Sequence, residues 1–395
     1  MQIDITNNQE LATLCQAMAG QAYFTFDTEF IRERTYFPAL ALIQVSWDGQ
    51  DPVLIDPLTI TDWSPFHQLL GDPNMVKVLH AGRQDLEIFY YQMKAVPAPV
   101  FDTQIAASFC GLGDQISYSG LVQKLIGVHV PKGDSFTNWL QRPLTGDQIR
   151  YAQDDVRYLP EVYQELVKRA ERKNRLAVIE EETRMSFQPV MFDPDPANLW
   201  HKVKKSGSLR SKDLAVLQDL AAWRDRIARN LDKPVRYILS DEVLIDLSKI
   251  ANLKLEQLRT RRGVHAKFID RFGQEILDIH AAARKRPSNS WPKSTKGKRP
   301  AFEESESLAD LAWILIREIA RKRDISPNHL ILKRELAPLI DAFLEGKPLE
   351  QNALFQGWRK DMVGKPLIDF IEGRLQLRVI NHRIVWQTKP EKEES

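Results

Sequence analysis

The chain has 395 residues, 43% of them hydrophobic and 27% charged, a soluble composition long enough for two or three domains of about 100–200 residues each. No apolar run approaches the ~18 residues of a membrane span; the opening MQIDITNNQE lacks the basic flank and apolar core of a secretory signal, and Cys15 and Cys110 alone make no disulfide frame, so a reducing cytoplasm is expected. A net charge of +2 hides an asymmetry, −8 over residues 1–170 and +10 over the rest, so the basic part suits either a polyanionic partner or plain solvated helices.

From Tyr23 to Ala170 short β-type runs (YFTFDTEF, ALALIQVSW, PVLIDP, VKVLH) alternate with helical patterns, predicting an α/β domain around a mixed sheet. The aromatic and Thr residues of the first run favour a strand, whose period of two puts Asp27 and Glu29 on one face. In so apolar a run a carboxylate pair repels itself unless a proton or cation neutralises it, and a metal is the simplest solution. After VKVLH the segment HAGRQDLEIFYY turns helical, with Asp85 in its first turn. Alone, that position is explained by the helix macrodipole. His80 and Arg83 flank it as candidate phosphate contacts, although His80 equally suits a strand end.

Further along, Phe101, Asp102 and Thr103 repeat the opening of the FDTEF run, but Gln104 stands where the second carboxylate would be, which predicts a structural strand end. Gly111 and Gly113 lack the third glycine of a dinucleotide fingerprint and predict a loop. Thr145 and Gln148 form a capping box opening a helix on which Tyr151 and Asp155, four residues apart, share a face. Asp154 lies about 100° away, toward solvent.

Beyond the Pro-containing stretch QPVMFDPDPANLW, helical patterns take over near Leu214, and two segments look alike at an offset of about 93 residues. Ile227, Ala228 and Arg229 followed by Pro234, Ile238 and Leu239 match Ile319, Ala320 and Arg321 followed by Pro327, Ile331 and Leu332. Phe272 and Gly273 match Val363 and Gly364. Two copies of one small helical domain are expected, separated by an exposed segment in which residues 284–300 carry seven basic residues, no acidic ones and three prolines. Lys202, Lys204, Lys205, Arg259, Arg261 and Arg262 join it as candidates for tracking a nucleic-acid backbone. Their bland reading is solubility.

Asp27, Glu29, Asp85 and Asp155 together meet one chemical requirement: two Mg²⁺ or Mn²⁺ ions about 3.5–4 Å apart need hard oxygen ligands of roughly opposite total charge. The runs FDTEF, HAGRQDLE and YAQDD resemble the three motifs of the DEDD superfamily of 3′→5′ exonucleases, in the subclass with Tyr four residues before the last Asp. The sister subclass has His where this chain has Arg150. The stretch from Lys132 to Leu144, KGDSFTNWLQRPL, is similar to the approach to the third motif in related exonucleases. The helical repeats resemble HRDC modules, which bind nucleic acids.

The resemblance implies a ribonuclease H-like mixed sheet flanked by helices over residues 1–170, a connecting segment over 171–207 and small all-α HRDC-like domains over 208–286 and 305–380. A basic linker would fill 287–304 and a tail 381–395. It further implies that Asp27 bridges both ions, Glu29 and Asp155 complete the site of the water-activating ion, Asp85 serves the other and Tyr151 orients the water. Such an enzyme would release nucleoside 5′-monophosphates from RNA with a free 3′ end, tRNA precursors above all; a monomer is expected because three domains can surround a substrate without a partner. A DNA exonuclease and a noncatalytic nucleic-acid adaptor are the alternatives.

Overall fold

The computed structural model describes residues 2–131, 137–294, 302 and 304–388. Its N-terminal part is built on β1 (Tyr23–Ile31), β2 (Ala39–Ser46), β3 (Val53–Ile55), β4 (Val76–Leu79) and β5 (Val100–Asp102), five strands in the order β3-β2-β1-β4-β5. β1 runs antiparallel to β2 and parallel to β4, and so is the central strand of the mixed sheet that the alternating pattern predicts. Both faces are covered. On one, α1 (Asn8–Met18), α2 (Ser64–Gly71) and α3 (Arg83–Met93) bury Leu11, Phe66 and Phe89 against Phe24 and Phe26. On the other lie α4 (Thr103–Phe109), α5 (Tyr118–Ile126), α6 (Gly146–Arg157) and α7 (Leu159–Arg172), whose Ala106, Leu121 and Val162 close over Val78 and Phe101. A polar residue on β1 is therefore enclosed unless it stands near the strand's end.

The connecting segment is part of the packing. In α8 (Leu176–Ser186) and α9 (Pro189–Phe192) and the turn between them, Ile179, Phe187 and Phe192 enter the cores of the α/β domain. In the 3₁₀ turn Pro196–Lys202, Leu199 and Trp200 enter the next one. That next core belongs to α10 (Ser211–Asn230), α11 (Val235–Ile238), α12 (Asp241–Lys249), α13 (Leu255–Arg259) and α14 (Ala266–Lys285). A separate core follows in α15 (Ser305–Arg323), α16 (Lys333–Leu344), α17 (Gly357–Arg359) and α18 (Lys365–Ile371).

The repeated residues occupy matching environments. Ile227 and Ala228 are buried in the first unit, and so are Ile319 and Ala320 in the second. A Cβ on Gly273 would sit 3.0 Å from side chains of Ile269 and Leu255, and one on Gly364 would sit 2.7 Å from the Leu354 carbonyl. Gly364 therefore needs the smallest residue, and at Gly273 a larger one would press on the two side chains.

Two expectations are corrected. The basic stretch does not begin as an exposed linker: α14 runs to Lys285, and the Arg284 side chain is only 12% exposed, donating to Asp213 at 2.9 Å and to the Ser248 and Ile250 carbonyls. Arg286 likewise pairs with Asp219 at 2.9 Å. Residues 295–301, like the 132–136 part of the KGDSFTNWLQRPL stretch, lie outside the described residues. Second, the last helical unit is not all-α, because β6 (Leu375–Ile380) and β7 (Arg383–Thr388) form an antiparallel hairpin across the expected domain boundary. Its turn residues Asn381 and His382 both take left-handed φ, 48° and 61°, as a tight hairpin turn requires. Leu377 and Trp386, paired across it, pack on the helical core. The tail reading over 389–395 falls outside the described residues.

Both helical units are docked on the α/β domain. The loop after β1 is held by the first: Asp232 accepts from the backbone N–H groups of Tyr36 and Phe37 at 2.9 and 3.1 Å, and the Tyr36 hydroxyl donates to Asp225 at 2.9 Å. The second is held through Glu182 of α8, which accepts from Arg359 and from Trp358 Nε1. Among the described residues no helix is long and apolar enough to cross a membrane.

Candidate active site

Asp27 and Glu29 lie on β1, two residues apart and therefore on one face. A bulge falls between Glu29 and Phe30 in the pairing with β2, so the strand is re-aimed immediately after the second carboxylate. Burial pushes the Asp27 carboxyl well above the usual carboxylate range, and the charges of Asp85, Asp155 and Glu29 push it further. Burial raises Glu29 to about 9, with Asp155 and Asp85 adding to it. The two strand residues thus feel both carboxylates supplied by other elements. Opposite Asp27 on β2 stands Gln44, fully buried and with both amide atoms lacking a hydrogen-bond partner. The sequence offered no sign of it, since a Gln in a strand run is not unusual.

Asp85 lies in the first turn of α3, where expected, and is 6% exposed. Burial raises its carboxyl to about 6, and a hydrogen bond from Thr28 works against that rise. Thr28, between the two strand carboxylates, points to the opposite face of β1, and its hydroxyl donates to Asp85 Oδ1. One short strand segment thereby carries two of the carboxylates and fixes a third. Asp102, the expected strand end, has a larger task. Its carboxylate accepts from Gln104 and Ile105 at the start of α4, at 2.8 and 3.2 Å, and from Ala81 and Gly82 just before α3, at 3.2 and 3.0 Å.

That grip acts on a strained turn. Ala81 takes a left-handed φ of 55°, and a Cβ on Gly82 would meet Leu79 at 2.6 Å. His80 uses both ring nitrogens inside the fold, Nδ1 toward Thr103 Oγ1 at 2.9 Å and Nε2 toward the Ile116 carbonyl at 3.1 Å. It sits as a satisfied strand-end residue and leaves no free ring nitrogen for a phosphate.

The third element is α6, opened by the capping box of Thr145 and Gln148. Tyr151 faces Asp155 one turn on and works against the rise of its carboxyl, which burial and then Asp154 push to about 7. Burial, Asp155, Glu29 and Asp27 drive the Tyr151 phenol upward in turn. It therefore remains protonated at neutral pH. Asp154 is partly exposed and pairs with Arg157 at 3.0 Å, outside the carboxylate set. Beneath Tyr151 lies Trp139, 2% exposed, with ring centroids 6.0 Å apart. Arg142 anchors that loop through two bonds of 2.7 Å to Asp56 and one of 2.7 Å to the Trp139 carbonyl. Neither Thr28 nor Arg142 was singled out from sequence.

The four carboxylates supply hard oxygen donors and repel one another, the chemistry that suits divalent cations. Among the described residues no three acidic or other ligating side chains are drawn into a ready-made metal-holding group. The outlying basic residues are spread more widely. Arg83, Lys202, Lys204, Lys205, Arg259 and Arg262 are exposed, while Arg261 pairs with Asp246 at 3.1 Å.

A sequence profile described as a 3′-5′ exonuclease matches residues 2–171, and one described as an HRDC domain matches residues 213–279. The chain is 38% identical over 386 residues to ribonuclease D of Gluconacetobacter diazotrophicus, covering 96% of this chain and 95% of that one. To ribonuclease D of Escherichia coli (strain K12) it is 34% identical over 377 residues, covering 93% and 98%. The crystal structure of Escherichia coli RNase D, an exoribonuclease involved in structured RNA processing, superposes with a TM-score of 0.81 at 33% identity, covering 94% of this chain and 99% of that one. The catalytic core of RRP6 from Trypanosoma brucei shares the fold, with a TM-score of 0.53 at 21% identity over 71% of this chain and 80% of that one.

Proposed function

This chain belongs to the ribonuclease D family of 3′→5′ exoribonucleases, and from that premise we propose that Asp27, Glu29, Asp85 and Asp155 hold two divalent cations, Mg²⁺ or Mn²⁺. The 3′-terminal phosphodiester of an RNA would be hydrolysed there to release nucleoside 5′-monophosphates. The observation carrying this reading is the mutual influence of the four carboxylates: Asp27 is raised by the other three, which come from β1, α3 and α6. Bound there, two such ions would supply Lewis acidity, lowering the pKa of a water and stabilising the leaving oxygen.

The chain's own residues carry the rest. Tyr151, whose phenol stays protonated, positions the attacking water by hydrogen bonding and is no base at neutral pH. Thr28 fixes Asp85, and Asp102 fixes the turn that delivers it. The substrate we infer is a structured RNA with a free 3′ end, tRNA precursors above all, supported by likeness over nearly the full length to an enzyme described as acting in structured RNA processing. Drawing all five groups from one chain supports a monomer. Two buried free cysteines support a reducing compartment, the cytoplasm. The second helical unit is a divergent HRDC copy on the evidence of its matched buried positions.

Asp27→Asn and Asp155→Asn, assayed with Mg²⁺ on a 3′-tailed RNA, should each lower kcat by roughly 10²–10³, the usual loss when one electrostatic stabiliser of a transition state is removed. Activity within a few-fold of the parent would overturn the assignment. Equal degradation of a matched DNA oligonucleotide would widen the substrate class.

A further inference from the structure

Between the α/β domain and the 3₁₀ turn Pro196–Lys202 lies a polar cleft of about 230 Å³, two of whose lining residues neighbour the carboxylates in sequence. Its cationic lining residues are Arg32, Arg83 and Lys202. Arg32 stands three residues beyond Glu29, and Arg83 two residues before Asp85, so the same two elements that present the carboxylates lead into it. Lys202 comes from the opposite wall, on the segment that enters the first helical unit.

The charge balance inside decides what the cleft can take. Glu87, the carboxylate among its lining residues, is bound by both terminal nitrogens of Arg32 at 2.7 and 3.0 Å. Asp193, close by, is taken by Arg229 at 2.7 Å. The two tyrosines of the wall are also committed, Tyr36 donating to Asp225 at 2.9 Å and Tyr91 to the Phe192 carbonyl at 3.1 Å. Arg83 and Lys202 are exposed, and among the described residues neither has a carboxylate within ion-pair distance. Two uncompensated cations thus face a concave polar space whose other donors are occupied. An anion with oxygen acceptors fits, and a guanidinium with an ammonium is the pairing that recognises phosphate without reading a base.

We propose that this cleft holds backbone phosphates of the RNA strand upstream of the scissile bond, with Arg83 and Lys202 as sequence-independent contacts and Arg32, fixed by Glu87, as its rigid wall. This rests on the exoribonuclease reading of the adjoining site. A strand whose 3′-terminal phosphodiester lies at the carboxylates must leave them in some direction, and this cleft is a cation-lined exit built from the same strand and helix. The alternative is that both cations serve only solubility.

The test uses the full chain, Arg83→Gln, Lys202→Gln and the double variant, with Lys168→Ala on α7 as an exposed cation outside the cleft. RNA affinity is measured against salt concentration on a single-stranded decamer, and kcat/KM on the decamer and on a dinucleotide, which has only the scissile phosphate. For each cation removed, the slope of log affinity against log salt should fall by about 0.7, the value for one phosphate contact on a single strand. Lys168→Ala should keep the parent slope. The ratio of kcat/KM on the decamer to that on the dinucleotide should drop several-fold, equally on oligo(U) and oligo(A). An unchanged slope, or an equal loss on both lengths, overturns the cleft. A parent protein inactive on both lengths overturns the exoribonuclease reading instead, while the salt slopes still decide the cleft.

Discussion

At the scale of single residues, the four carboxylates set a conflict between stability and activity. Burial raises Asp85 to about 6, Asp155 to about 7 and Glu29 to about 9, and Asp27 upward as well, with repulsion from the other carboxylates of the set adding to the rise of Glu29 and Asp27. The folded protein therefore binds these protons more tightly than the unfolded chain, in which carboxylates titrate near about 4. By linkage, stability present below that range is lost as pH rises through the folded values. In EDTA, the melting temperature of Asp27→Asn minus that of the parent should grow from pH 5 to pH 9, since the variant lacks one of the repelling charges. Mg²⁺ should shrink the difference by stabilising the parent alone. A difference that stayed flat with pH would show that the carboxylates do not strain the fold. Asp27 and Glu29 were legible in sequence because strand periodicity is local, and so were Tyr151 and Asp155 on their helix. Thr28 was hidden by the same rule: the alternation that pairs its neighbours sends it to the other face, where its partner is Asp85, distant in sequence.

At the scale of elements, the site depends on how α3 and α4 are started. Asp102, 1% exposed, satisfies backbone donors of both, and the turn it grips holds Ala81 in a left-handed conformation. Asp102→Ala strands those donors at about 1–3 kcal/mol for a buried unsatisfied group, so a loss of at least about 2 kcal/mol is expected. Because the turn delivers Asp85, kcat should fall further than in a variant equally destabilised elsewhere, with Asp102→Asn intermediate on both counts. Urea unfolding together with kcat measurements checks this, and a kcat that merely follows stability would reduce Asp102 to a helix cap. Sequence marked Asp102 as a strand end correctly. Its hold on Ala81 and Gly82 follows from β4 and β5 lying side by side, a tertiary fact that no local pattern carries. The hairpin of β6 and β7 escaped for a related reason: its six-residue strands follow a helix-rich stretch, and Val379 and Ile380 remain exposed, which blurs the inside-outside alternation.

At the scale of the whole molecule, the α/β domain is held from two directions, with the first helical unit bracing the loop after β1 and the second gripping α8. The second grip combines several contacts, Asp324 on Lys173 and both Ser326 and His329 on Asp114, with one pair buried more deeply than these. Glu182 and Arg359 have side chains only 8% and 19% exposed, and Arg359 also donates to the His329 carbonyl at 2.9 and 3.1 Å. Phe109 of α4 packs edge-on against Trp358 beside them, with ring centroids 5.5 Å apart. Breaking a buried pair from one side leaves an uncompensated charge and costs about 3–5 kcal/mol, whereas replacing both partners by apolar groups is often close to neutral. Glu182→Ala should therefore loosen the second helical unit, with Trp358 fluorescence changing at lower denaturant than the signal of the α/β domain, while the contacts of Asp324 with Lys173 and of His329 with Asp114 remain. Glu182→Met combined with Arg359→Met should restore much of the parent midpoint, because apolar neighbours are already present. A single variant within about 0.5 kcal/mol of the parent, the range of an ordinary surface substitution, would mean that the rings and the contacts of Lys173 and Asp114, rather than this ion pair, hold the interface.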